Sequence, residues 1–212
     1  MGVQSYLFKV SKVLVSKGIE FKVIIEGIYE YCGIQRCGKS TMMIKDLVTK
    51  IFPAGYKPEN TWANFRIFIQ GVHCLETMDL VQAVFEIKRK KLRDQVIIFD
   101  EVGQFMVARG FKDKDQTDFV NFGWQMPKRN CPMLYASNVG NSADVILRDA
   151  TWVTVMPKYY PSPGKDFYKV PREEHYIESW VCFNYDCRVV KGIITPGVSR
   201  YQELFDSYEP ID

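Results

Sequence analysis

Apolar residues recur along this chain in two alternating rhythms. Short runs rich in β-branched and aromatic residues alternate with longer stretches whose apolar positions return every three or four residues. The first short run lies within residues 21–32 (FKVIIEGIYEYC) and predicts a strand. A glycine-bearing loop follows, and then a helical pattern over 39–52 that Pro53 stops. Residues 54–64 (AGYKPENTWAN) read as loop and 65–70 (FRIFIQ) as a second strand. A helix predicted over 77–93 carries Leu80, Val81, Val84, Phe85 and Ile87 as its apolar stripe. Residues 95–101 (QVIIFDE) form a short buried strand ending in two acids. A polar stretch, 108–118 (ARGFKDKDQTD), precedes another helix ending near Pro127. Residues 131–138 (CPMLYASN) predict a fourth strand, 142–150 (SADVILRDA) a short helix and 151–157 (TWVTVMP) a fifth strand. Strand–helix alternation of this kind predicts an α/β fold with a mostly parallel sheet flanked by helices.

Beyond Pro157 the pattern changes. A Pro-rich connection (159–174) leads to two β-type runs, HYIESWVCFN and RVVKGIITPG, which predict an antiparallel hairpin turning at Tyr185-Asp186. A last amphipathic helix is expected over 199–208. The 212 residues show no repeat and no low-complexity segment, so one domain is expected: a core over about 21–157, then the hairpin and terminal helix over 158–212.

Composition narrows the function classes. Hydrophobic residues make up 47% and charged residues 25%, the balance of a globular chain rather than a disordered one. The net charge is only +3, so any nucleic-acid contact needs a local basic patch. No uncharged apolar run approaches the roughly 18 residues that span a bilayer. Lys9, Lys12 and Lys17 interrupt the apolar residues of the N-terminus, so the unbroken apolar core of a signal peptide is not expected there, and Tyr6 stands where myristoylation wants Ser or Thr. A cytoplasmic protein without a membrane span is the expectation. Six cysteines include no CxxC pair, and the chain has only two histidines, His73 and His175, which argues against structural zinc. Cys182 and Cys187 could face each other across the hairpin; scattered buried thiols are the plainer reading.

The sharpest chemical signal is Gly33-Ile34-Gln35-Arg36-Cys37-Gly38-Lys39-Ser40, a complete G-x-x-x-x-G-K-[ST] loop between a predicted strand and a predicted helix. Its glycines let the backbone wrap closely and aim successive N–H groups at phosphate oxygens, and the helix start adds its positive dipole end. Lys39 would reach the β- and γ-phosphates, and the Ser40 hydroxyl would ligate Mg²⁺. The second signal is VIIFDE. Four apolar residues deliver Asp100 to the carboxyl end of a buried strand, where ligands bind in open α/β sheets. Asp100 would hold Mg²⁺ through water, and Glu101 would orient or deprotonate an attacking water. A strand–helix unit (65–93) separates the two motifs, and this order with a glutamate points to a hydrolase that uses ATP to move something. Nucleotide kinases lack that glutamate and carry an Arg-rich lid, which is not visible here.

Two weaker signals follow. Asn138, with Ser137 as the alternative, ends the strand expected beside the phosphate loop, where a polar side chain can sense the γ-phosphate; a turn-forming Asn is the plain alternative. Arg148 suits stabilisation of charge on a transferring phosphoryl group, often across a subunit boundary, with Arg109 and Arg129 as competitors and a surface pair with Asp144 or Asp149 as the plain reading. The basic run Lys88–Lys91 with Arg93 suits a dipole-favoured helix end. Lysines and aromatics interleave on the predicted loops around 111–114 and 158–169, a mixture suited to gripping a nucleic-acid backbone and equally to an ordinary surface.

The order GIQRCGKS, VIIFDE, PKRNCPMLYASN, ILRDATWV resembles the additional-strand class of P-loop ATPases, specifically the FtsK–HerA superfamily. Within it the chain is similar to the small genome-packaging ATPases of icosahedral viruses with an internal membrane, those of archaeal turreted viruses above all, over about 21–157. The resemblance implies a RecA-like core, commonly a hexameric ring, that hydrolyses ATP between subunits and drives double-stranded DNA through its pore. By position it makes Gly33–Ser40 with Thr41 the Walker A site, Asp100 and Glu101 the Walker B site, Asn138 the sensor and Arg148 a candidate finger. Relatives usually carry Gln at the sensor place, one methylene longer than Asn138. ATP and Mg²⁺ are the implied cofactors; the implied partners are DNA, further copies of the chain, and capsid or portal-vertex proteins in the host cytoplasm or the virion. Residues 108–118 are the expected DNA-facing loop. Two other classes stay open: a filament-assembly or secretion ATPase acting on protein, resembling Zot, and a non-catalytic ATP-dependent switch, against which Glu101 argues.

Overall fold

A computed structural model of the chain describes residues 10–14, 20–24, 27–101, 123, 125–138, 147, 150–161, 169–184 and 188–206. Two short strands, β1 (Val10–Leu14) and β2 (Glu20–Ile24), pair antiparallel as a small separate sheet. The main sheet has eight strands: β3 (Ile28–Gly33), β4 (Thr61–Ala63), β5 (His73–Cys74), β6 (Val96–Phe99), β7 (Met133–Asn138), β8 (Val153–Tyr160), β9 (Tyr176–Phe183) and β10 (Arg188–Pro196). Their spatial order is β10-β9-β8-β3-β7-β6-β4-β5, parallel from β8 to β5 and antiparallel in the C-terminal wing β8-β9-β10. One strand, β7, therefore separates the strand leading into the glycine loop from the strand carrying the acids.

Period-two alternation sorts the parallel strands onto two apolar faces. Tyr29, Tyr31, Val96, Ile98, Leu134 and Ala136 face one cluster; Ile28, Ile97, Phe99, Met133 and Tyr135 face the other. The first face is covered by helix α1 (Lys39–Asp46), through Met42, Met43 and Ile44. The second is covered by α2 (Thr77–Lys90), whose Leu80, Val81, Val84 and Ile87 form the expected stripe. One ionic cluster lies at the edge of the first core. Asp46 accepts from the Tyr31 hydroxyl at 2.8 Å and pairs with Lys45 at 3.0 Å and Lys50 at 2.9 Å, with only 3% of its side chain exposed.

Several elements depart from the sequence reading. The run 21–32 contributes to two strands in different sheets, β2 ending at Ile24 and β3 starting at Ile28, rather than to one. The helix over 39–52 forms as α1 followed by a π-helical turn, Leu47–Ile51, and a 3₁₀ turn, Phe52–Ala54, that takes in Pro53. FRIFIQ is not a sheet strand. It lies against the C-terminal segment, where Ile67 makes an isolated bridge to Phe205 and the Phe68 N–H donates to the Leu204 carbonyl at 2.7 Å. The sheet position expected for it belongs to β4, inside the stretch read as loop, because Thr61–Ala63 align with Val96–Ile98. α2 ends at Lys90, three residues before Arg93, because Lys91 turns left-handed at φ 53°. The terminal helix, α3 (Ser199–Gln202), is one turn long; Phe205 is drawn into the first core instead of extending it.

The wing forms the predicted hairpin, although its turn at Tyr185-Asp186 lies outside the described residues. Cys182 opposes Val189 and is a free thiol; Cys187 also lies outside. The helix before Pro127 and the helix over 142–150 fall outside except for Gly123, Gln125, Met126, Leu147 and Ala150, with Met126, Leu147 and Ala150 buried in the second core.

Candidate functional site

The glycine loop leaves β3 at Gly33 and enters α1 at Lys39, at the carboxyl edge of the parallel strands. Two left-handed residues, Arg36 at φ 60° and Gly38 at φ 97°, curl it inward. Alternation of left- and right-handed residues of this kind turns successive N–H groups toward one point. Gly38 has a second reason to be glycine: a Cβ there would sit 2.6 Å from Ile177 of β9 and 3.3 Å from Tyr159 of β8. The C-terminal wing thus backs the loop directly. At Gly33 a Cβ would overlap the Cys37 sulfur. Cys37 is buried beneath the loop, which pushes its thiol pKa up against the opposing pull of Lys39. Ile34, Gln35 and Arg36 form the loop's exposed crown, and Thr41 is buried in the first turn of α1.

Lys39 is only 8% exposed, and its ammonium donates to the Gly33 carbonyl at 3.1 Å, the Ile34 carbonyl at 2.9 Å and the Asn138 Oδ1 at 2.9 Å. The last contact follows from register, because Gly33 and Asn138 are direct partners where β3 and β7 run side by side. Its shorter side chain still reaches the lysine. Ser137, the alternative to it, points into the sheet and donates to buried Glu30 at 2.7 Å. The Ser40 hydroxyl donates to Asp100 Oδ2 at 2.6 Å, joining the loop helix to the tip of β6. Burial raises the Asp100 carboxyl from its ordinary value, against the opposing pull of Ser40, the Glu101 N–H and Lys39. Glu101 is exposed beside it in the left-handed region, at φ 53°, with its N–H on Asp100 Oδ1 at 2.9 Å.

One strand order and one loop therefore gather Lys39, Ser40, Asp100, Glu101 and Asn138 at a single edge. No family model matches this sequence, and no curated protein does. Solved structures match it in three dimensions. The N-terminal domain of zonular occludens toxin from Neisseria meningitidis aligns at TM-score 0.55 and 12% identity, over 86% of this chain and 100% of that one. The genome-packaging NTPase B204 of Sulfolobus turreted icosahedral virus 2, in complex with ATP-gammaS, aligns at 0.54 and 10% identity, over 82% and 99%. The flagellar accessory protein FlaH of Methanocaldococcus jannaschii aligns at 0.52 and 12% identity, over 82% and 87%. The fold is that of the RecA-like P-loop ATPases. At such identities the likeness is one of fold, and it agrees with the architecture that the motif order implies.

Within this P-loop fold the remaining predicted residues separate. Arg148 and Arg109 lie outside the described residues, as does the loop 108–118. Arg129, the other competitor for the finger, is placed elsewhere: its guanidinium donates to the Lys88 carbonyl at 3.0 Å and caps the C-terminal end of α2. Of the interleaved lysine and aromatic positions, Lys158 lies over the Tyr160 ring within the wing, and those at 111–114 and 165–168 lie outside the described residues. A residue absent from the sequence reading also reaches the site. Asn64, just beyond β4, accepts the Asp100 N–H at 2.7 Å and donates to the Asp100 carbonyl at 2.9 Å. With the strand assigned to 65–70, nothing marked Asn64 as a strand tip.

Proposed function

We propose that the chain is an ATP-hydrolysing motor that moves double-stranded DNA, with genome packaging as its task. The observation that carries this reading is the pair of contacts from one loop to two strand tips, Lys39–Asn138 and Ser40–Asp100. They place a cation, a hydroxyl and a half-buried carboxylate around the loop where a triphosphate would lie. A fold shared with a packaging NTPase that binds ATP-gammaS supports it.

In this reading the N–H groups of 33–41 and the α1 dipole take the phosphates, and Lys39 shifts from its carbonyls to the β- and γ-oxygens. The Ser40–Asp100 pair presents hard oxygen donors, and burial leaves the carboxylate under-compensated, so the pair fits Mg²⁺. Bound there, Mg²⁺ would neutralise charge on the phosphate oxygens. Glu101, exposed at the edge, would orient a water and take its proton as that oxygen attacks the γ-phosphorus and the bond from that phosphorus to the β–γ bridging oxygen breaks, leaving ADP and inorganic phosphate. Asn138, one hydrogen bond from Lys39, reports whether the γ-phosphate is present. Arg148 of a neighbouring copy completes the charge in a ring, and residues 108–118 meet DNA.

The second reading is a filament-assembly or secretion ATPase acting on protein, and the fold match to the zonular occludens toxin domain, of the same quality, keeps it beside the first. Steady-state ATP hydrolysis with and without long double-stranded DNA, at several protein concentrations, separates the two. The DNA motor predicts turnover that rises with both. Turnover indifferent to DNA moves the reading to the protein-directed motor, and no turnover at all leaves a switch.

A further inference from the structure

Asn64 makes more hydrogen bonds to the acid-bearing strand tip than any chemical role of its own requires. Its Oδ1 accepts the Asp100 N–H at 2.7 Å, and its Nδ2 donates both to the Asp100 carbonyl at 2.9 Å and to the Thr77 hydroxyl at 3.1 Å. Its own N–H donates to the Ile98 carbonyl at 3.3 Å, continuing the β4–β6 ladder by one rung. A single side-chain amide thus pairs with both the N–H and the carbonyl of Asp100, as a neighbouring strand would, and anchors itself on the first residue of α2. Asp100 in turn accepts from Ser40 of α1. The resulting path, Thr77–Asn64–Asp100–Ser40, links α2, the tip of β4, the tip of β6 and the phosphate-loop helix. The next residue, Glu101, is held left-handed at φ 53°, which a non-glycine residue adopts only when its surroundings impose it.

We infer that Asn64 is the positioning residue of this site: it fixes the Asp100 peptide so that the carboxylate meets the Ser40 hydroxyl and Glu101 keeps its left-handed turn. It touches neither nucleotide nor reacting water, and acts through Asp100. Groups that orient a metal-binding carboxylate in this way typically change metal affinity by about 10–100-fold when removed. The inference rests on the nucleotide-site reading above.

The test is binding of ATPγS in EDTA and across a Mg²⁺ titration, followed by calorimetry, for the wild type, Asn64→Ala and Thr77→Val, with thermal melts alongside. In Asn64→Ala the metal-free affinity stays within about threefold, while the Mg²⁺ concentration that half-maximally tightens binding rises at least about tenfold. Thr77→Val, which removes only the anchor of the amide, shifts it the same way by about threefold or more. ATP turnover by Asn64→Ala falls in kcat more than KM rises. A smaller Mg²⁺ shift in Asn64→Ala, or a parallel loss of metal-free affinity, overturns the inference. If Asn64→Ala does not fold, Thr77→Val decides alone, and an unchanged Mg²⁺ response there overturns it. A wild type that binds ATPγS without responding to Mg²⁺, or not at all, defeats the site reading itself. A responsive wild type matched by its variants defeats only the role of Asn64.

Discussion

Lys39 sits in a ring of three oxygens, two from its own loop and one from Asn138, while burial keeps water away from most of its length. An ammonium so held exchanges these acceptors for phosphate oxygens at little cost in solvation, since it is already largely desolvated. Lys39→Ala is therefore expected to abolish tight ATP binding; ATP affinity equal to wild type in an equilibrium titration would refute the phosphate-loop reading. Glu101 differs in kind. It is exposed, and its backbone N–H donates to Asp100 Oδ1. Glu101→Gln keeps shape and hydrogen-bonding capacity but cannot accept a proton. It should bind ATP normally and turn it over at least about 100-fold more slowly in single-turnover assays. Turnover at the wild-type rate would move the base elsewhere.

Helix α1 is fastened to the sheet by charge as well as by apolar packing. Burial works to raise the Asp46 carboxyl, but Lys45 and Lys50 outweigh it and hold the group well below the usual carboxylate range. Burial and the neighbouring Asp46 charge push the Tyr31 hydroxyl well up, so it stays a donor to that carboxylate at all working pH values. Because the folded pKa of Asp46 lies below the unfolded value of about 3.9, its contribution is fully present above that value and fades as pH falls through the folded one. Asp46→Asn strands two largely buried lysines and should destabilise the fold by about 3 kcal/mol at pH 7. Urea melts of both proteins at pH 7 and pH 3 check this, with the gap expected to narrow at the lower pH. A constant gap would mean that the amide's packing, not the charge, sets the cost. This fastening lies at the far end of the helix that begins with Lys39 and Ser40, so some loss of nucleotide affinity should accompany it.

At the scale of the molecule, the wing β8-β9-β10 extends the parallel sheet beyond β3 and braces the phosphate loop from behind through Tyr159 and Ile177. The opposite flank, from β7 to β5, carries the acids. The loop thus sits between the two flanks of the sheet, backed by one and facing the acids of the other. Arg148→Ala mixed with a Lys39→Ala partner tests whether a further group comes from a second copy. Recovery of hydrolysis in the mixture, above the sum of the two inactive proteins, is expected if the arginine acts across subunits; the sum alone would leave it with a structural role.

The local signals in the chain were enough for the loop, the acid-tipped strand, both major helices and the hairpin, because each rests on short-range chemistry: glycines for left-handed turns, a four-residue apolar run before Asp100, and 3.6-residue periodicity in α2. Asn138 and Lys39 could be named separately for the same reason. Their contact depends on which strands are neighbours, and no local pattern states that; β7 lies beside β3 only because its alternating faces fill both cores at once. The misplaced second strand has the same origin. FRIFIQ alternates as a strand should, but Phe65 and Ile67 are buried by the C-terminal segment around Phe205, nearly 140 residues away in the chain. The three-residue TWA, too short for a periodic signal, takes the sheet position instead and carries Asn64 to the site. Residue chemistry is written locally, whereas the pairing of strands and the company each side chain keeps are decided by long-range burial, which the folded chain satisfies only as a whole.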